Sequence, residues 1–157
     1  MTTVQIIQII TGCLGSFGFS VLYNLRGVRL LTATVGGFLS WSLFLLLGNF
    51  IESDVVGYFL VAALISLFAE IMSRRLKTPT TTFITAALIP LIPGGSLYYT
   101  MASAFRGDML LFLEKGLHTV KLAAALALGI VITTVLTKLF FRIKSSVKKD
   151  FLDNKTP

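Results

Sequence analysis

Cysteine, histidine and charge are all scarce in this chain. With one cysteine (Cys13) and one histidine (His118) in 157 residues, neither an intramolecular disulfide nor a Cys/His metal cluster of this chain alone is possible. Charged residues make up 13% of the chain and hydrophobic residues 55%, with a mean hydropathy of +0.86. Soluble domains carry about 25% charged and about 45–50% apolar residues. The composition therefore argues against both a disordered chain and a water-soluble globule. No Ser/His/Asp constellation, phosphate loop or catalytic carboxylate pair stands out, so no enzyme and no cofactor is expected. The net charge of +7 sits between long uncharged runs, which points away from a nucleic-acid partner and toward a lipid bilayer.

Those runs cover residues 1–25, 30–51, 55–69, 78–105 and 122–137. Crossing about 30 Å of hydrocarbon takes about 20 mostly apolar helical residues. Allowing for helix ends, the sequence predicts an all-α membrane domain over residues 1–145, with spans at about 4–24, 30–50, 55–73, 80–101 and 118–141. The basic stretch from Lys138 to Lys149 reads as a juxtamembrane anchor on anionic lipid, and residues 146–157 as a basic cytoplasmic tail. Arg26 and Arg29, then Arg74, Arg75 and Lys77, then the basic residues from Lys138 to Lys155 fall on one side. They number eleven, against three (Arg106, Lys115, Lys121) at the other. The positive-inside rule then sets the N-terminus outside and the C-terminus in the cytoplasm. A cleaved signal peptide is not expected, because MTTVQIIQII has no basic n-region.

Small residues recur at four-residue spacing: Gly12, Ser16 and Ser20 in span one, Gly36-Gly37 and Ser40 in span two, and Ala125, Gly129 and Thr133 in span five. Such faces let membrane helices approach closely. Five spans do not divide into two equal inverted halves, which points to a missing partner chain or to self-association.

Span four is the informative one. Pro90 and Pro93 remove two amide hydrogens, and each clashes with the carbonyl four residues earlier. Gly94-Gly95 follows and disfavours helix further. At about 1.5 Å per residue, Pro90 lies about 15 Å into the span, near the midplane. Irregular backbone at that depth persists only against protein or a water-filled cavity. A half-helix restarting near Gly94 would aim free amides at the midplane, as broken transporter helices do toward a substrate carboxylate. Ser96, Tyr98 and Tyr99 add hydroxyls. The alternative is a proline kink that serves packing alone, in a membrane scaffold that transports nothing.

Pro90-Leu91-Ile92-Pro93-Gly94 with Tyr98 and Tyr99 resembles the signature of the threonine/serine exporter family, and in particular the short subunit of its two-chain form. The likeness extends through Tyr23-Asn24, Arg29, Phe68-Ala69-Glu70, Arg74-Arg75, Lys77, Pro79, Gly107-Asp108 and Gly129, covering about residues 5–140. The resemblance implies a five-span subunit in a bacterial plasma membrane. It also implies a longer five-span partner and ion-driven export of threonine, serine or related small carboxylates.

Glu70, in the cytoplasmic third of span three, carries either of two roles: an ion pair with Arg74 one turn on, or a coupling or gating carboxylate. Glu52 and Asp54 are expected to cap helix ends, His118 to lie at the interface, and Trp41 to be a packing aromatic. Residues 102–117 are expected to form a short interfacial helix.

Overall fold

The computed structural model describes residues 2–153, with side chains through Ile143. Helix α1 (Thr3–Leu22) begins in a reciprocal cap, in which Thr2 Oγ1 accepts from the Gln5 amide and Gln5 Oε1 from the Thr2 amide. It is followed by α2 (Val28–Leu47), α3 (Asp54–Leu76), α4 (Thr80–Ala87), a 3-10 turn (Ile89–Leu91), α5 (Gly94–Phe105) and α6 (Met109–Asp153). The described residues contain no strand. Helices α1, α2, α3 and α6 are long and apolar enough to cross a membrane. Taken together, α4 and the stretch from the 3-10 turn through α5 meet the same test as a pair bent by 48°. The expected all-α membrane fold is therefore present, with its fourth span broken at the prolines and glycines.

The predicted small-residue faces form the helix seams. Any Cβ on Gly37 would overlap the Ser16 side chain, so α1 and α2 meet almost backbone to backbone there. A Cβ on Gly36 would stand 2.7 Å from Ala87 Cβ at the end of α4. One on Gly129 of α6 would stand 2.6 Å from the Phe59 carbonyl of α3. Around these seams Tyr58, Val61 and Ile65 of α3 pack with Ala87, Leu88, Leu91, Leu122 and Ala125. Helix α3 is the centre of the bundle, and its face from Val61 through Glu70 is buried.

Two ends of the bundle are distinct. Tyr23 shares a cavity with Thr81, Thr82 and Thr85, and the Arg74 guanidinium lies 3.8 Å from the Phe141 ring centroid. The basic turns after α1 and α3 therefore gather at one end with Lys138 and Arg142. At the other end Gln5 shares a cavity with Asn49, Ser53 and Asp54. Side chains of the predicted basic tail, Lys144, Lys148, Lys149 and Lys155, lie outside the described residues.

The last helix departs from expectation. Residues 102–117 do not form a separate short helix. Residues 102–105 end α5, Gly107 turns the chain at φ +74°, and Asp108 accepts from the Leu111 amide to start α6. Nothing after Asp108 stops a helix, since the charges at Glu114 and Lys115 and the imidazole of His118 are compatible with helix and no proline intervenes. Span five, expected at 118–141, is thus the middle of a helix of 45 residues. Lys121 shares a groove with Val55 and Val56 in the first turn of α3. The twelve residues of α6 before it, rising about 18 Å, run past that end of α3, with α5 alongside.

Candidate functional site

The break is built by local backbone chemistry. Pro90 has no hydrogen to offer the Ala86 carbonyl, and the Leu91 and Ile92 amides bond three residues back, to Leu88 and Ile89. Ile92 is extended (φ −60°, ψ 123°) and Pro93 stands at φ −74°, ψ 53°, an inverse γ-turn. That turn hands the Gly94 amide to the Ile92 carbonyl at 2.6 Å. This corrects one expectation: Gly94 is not free to hold a ligand through its N–H. Among the described residues, the amides of Gly95 and Ser96 have no acceptor in the turn or from a capping side chain. A Cβ on Gly94 or Gly95 would meet nothing within 4 Å, so the restart of the helix opens outward.

Two cavities flank the break, and the predicted residues divide between them. Pro90 lies with Gln8, Thr11, Gly12, Gly15, Trp41 and Ile89 around about 280 Å³ between α1, α2 and the 3-10 turn. Its ring packs 3.3 Å from the Cβ position of Gly12, midway along α1. Trp41 lies tilted at 5.4 Å from Phe44, as a packing aromatic should, but its buried indole nitrogen has no partner among the described residues.

Ser96 and Tyr99 line the other cavity, a cleft of about 500 Å³ between α5 and α6 whose remaining walls are Glu114, Lys115, Leu117, His118 and Lys121. A hydrogen bond between Thr100 and Thr119 (3.1 Å) ties the two helices here. Lys115 Nζ lies 5.7 Å from the Tyr99 ring centroid. Tyr98 is exposed and meets only the edge of Tyr99 at 5.4 Å. His118 thus shares this cleft with Glu114 and Lys121. Glu114, His118 and Lys121 recur every three or four residues along α6, and that periodicity was the available signal. What the sequence did not carry is that this stripe faces Ser96.

Glu70 and Arg74 lie apart from the break, at the basic end. Glu70 is 3% exposed. Its Oε1 accepts from Arg74 at 2.8 Å and its Oε2 from the Thr80 hydroxyl, also at 2.8 Å. Thr80 Oγ1 lies 3.0 Å from Ser73 Oγ, which in turn donates to the Thr78 carbonyl. A single carboxylate thus ties the end of α3 to the start of α4.

Comparison with known proteins gives this membrane bundle a family. The family model described as "Threonine/Serine exporter, ThrE" matches residues 8–136. The chain belongs to the threonine/serine exporter family. The match takes in α1 from Gln8, then α2 to α5 with the break, and α6 as far as Leu136. No curated protein and no solved structure matches the chain. This exporter-family chain is accordingly a multi-pass membrane protein of transporter type, and both cavities beside its break fall within the matched residues.

Proposed function

We propose that the chain is the short membrane subunit of a two-chain exporter. It would move threonine, serine or similar small carboxylates out of a bacterial cell, driven by an ion gradient. A longer five-span subunit would complete the pathway, and the basic end of the bundle would face the cytoplasm. Residues 1–145 would form the membrane domain, with 146–157 as its cytoplasmic tail.

The observation that carries this reading is the pair of free amides on Gly95 and Ser96, opening beside a cleft of about 500 Å³. Unsatisfied amides are costly in hydrocarbon and persist against protein or water. Their dipole end favours a carboxylate. Pro90 and Pro93 would create the gap, Gly94 and Gly95 would keep it open, and Ser96, Tyr98 and Tyr99 would supply hydroxyls. The exposed side of the restart is where the longer subunit would sit. Glu70 with Arg74 would act at the inner end, joining the α3–α4 turn to coupling or gating.

A scaffold reading draws on the close packing of Pro90 on Gly12 and of Ala87 on Gly36. Efflux from cells separates the two. Gly94 has no positive φ and open space at its Cβ position, so Gly94→Leu leaves folding and membrane insertion intact while filling the gap. The variant should lose efflux. Wild-type efflux from it would favour the scaffold.

A further inference from the structure

The charges lining the α5–α6 cleft have no assigned role. Glu114, His118 and Lys121 lie at positions i, i+4 and i+7 of α6, on one face and within about 10 Å along the axis. All line the cleft together with Ser96 and Tyr99. Among the described residues the ion pair within 4.0 Å is Arg74 with Glu70, so Glu114 and Lys121 face the cleft without a partner of opposite sign. Lys115, the third charge, is taken up over the Tyr99 ring.

We infer that α6 supplies the charged half of the substrate site, with Lys121 taking the carboxylate and Glu114 the ammonium group of an α-amino acid. This assignment rests on the export reading above. Both charges are needed because an α-amino acid carries both. A site for simple carboxylates has no use for an acid, which would repel them, whereas a zwitterion is held at each end. Charge-assisted hydrogen bonds of about 2.8 Å at each end leave room for a molecule of threonine's size between residues two helical turns apart. The cleft volume falls within the roughly 300–1,000 Å³ range of small-molecule sites. Ser96, on the opposite wall, is continuous with the free amides of the break, so the carboxylate end of the site lies toward Lys121 and Ser96. His118 lies between the two charges, where it can contact the hydroxyl of the ligand.

The test is binding of radiolabelled threonine to the full-length chain in lipid nanodiscs. The competitors are unlabelled threonine, 3-hydroxybutyrate (threonine without its ammonium group) and threoninamide (threonine without its carboxylate). Wild type should prefer threonine to each analogue by at least about tenfold, the scale of one lost charge-assisted hydrogen bond. Glu114→Gln should bring threonine and 3-hydroxybutyrate within about threefold of each other. Lys121→Gln should do the same for threonine and threoninamide. Both residues are exposed on their helix, so neither change threatens the fold. If both variants keep the wild-type ranking, or if wild type binds no threonine, the assignment is overturned. Cellular efflux measures the export reading separately, so each can fail without the other.

Discussion

Replacing Gly36 by alanine places a methyl group 2.7 Å from Ala87 Cβ and 3.3 Å from Phe68 Cε1. Carbon atoms rest at about 3.5–4.0 Å, so α2 and α4 must part by about 1 Å. Ala87 is fully buried and is the last residue of α4 before the break, so the strain falls on the element that positions Pro90. Overpacking of this kind costs about 1–3 kcal/mol. The reciprocal change, Ala87→Gly, costs about 1 kcal/mol from helix propensity and lost burial, and it removes the atom that Gly36→Ala strikes. The double variant exchanges a methyl group across the seam and should recover most of the loss, giving a coupling of about 1–2 kcal/mol. Unfolding of the four proteins in mixed micelles by titration with a denaturing detergent measures that cycle. Independent sites add within about 0.5 kcal/mol. Additivity at that level would refute the close approach of α2 and α4, and with it the packing that holds the break.

Two further outcomes follow from the basic end. Glu70→Ala leaves Arg74 without its acceptor and the Thr80 hydroxyl with Ser73 Oγ alone, and since the Arg74 side chain is 42% exposed and can rehydrate, the loss in the same assay should be about 1–3 kcal/mol. Glu70→Gln keeps an acceptor and should lose less; a Glu70→Ala protein as stable as wild type would contradict the anchoring role. Lys77 ends α3 at φ 48°, ψ 48°, where a side chain is strained and glycine is not. Lys77→Gly should raise stability by about 0.5–1 kcal/mol, read as a higher Tm, and a lower Tm would show that the lysine side chain holds that turn.

Much of the fold was legible because hydrocarbon imposes so simple a rule. The uncharged runs marked the apolar stretches that fold as α1, α2, α3, the α4–α5 pair and the middle of α6, and glycine and serine spacing marked the seams at Ser16–Gly37, Gly36–Ala87 and Gly129–Phe59. The break was legible from Pro90, Pro93 and the glycines, since proline acts on its own backbone. Its hydrogen-bond partners were not: that Pro93 closes a γ-turn and occupies the Gly94 amide depends on torsion angles. Nor was the second partner of Glu70, because Thr80 is ten residues on and reaches it only once α4 folds back. The length of α6 was missed because charges at Glu114 and Lys115 mark a membrane boundary without ending a helix. The cleft was missed for a related reason: the facing of Ser96 toward Lys121 is set by the α5–α6 hairpin, through the Gly107 turn and the Thr100–Thr119 contact, and not by either helix alone.

Transport itself is the most direct test of the central claim. The chain would be reconstituted in liposomes with a candidate for the proposed longer five-span subunit, and threonine flux followed under an imposed ion gradient. Flux that requires both chains and disappears with Gly94→Leu is the predicted result. Two chains that insert and associate but move no threonine, serine or other small carboxylate, or a Gly94→Leu protein that transports at the wild-type rate, would contradict it.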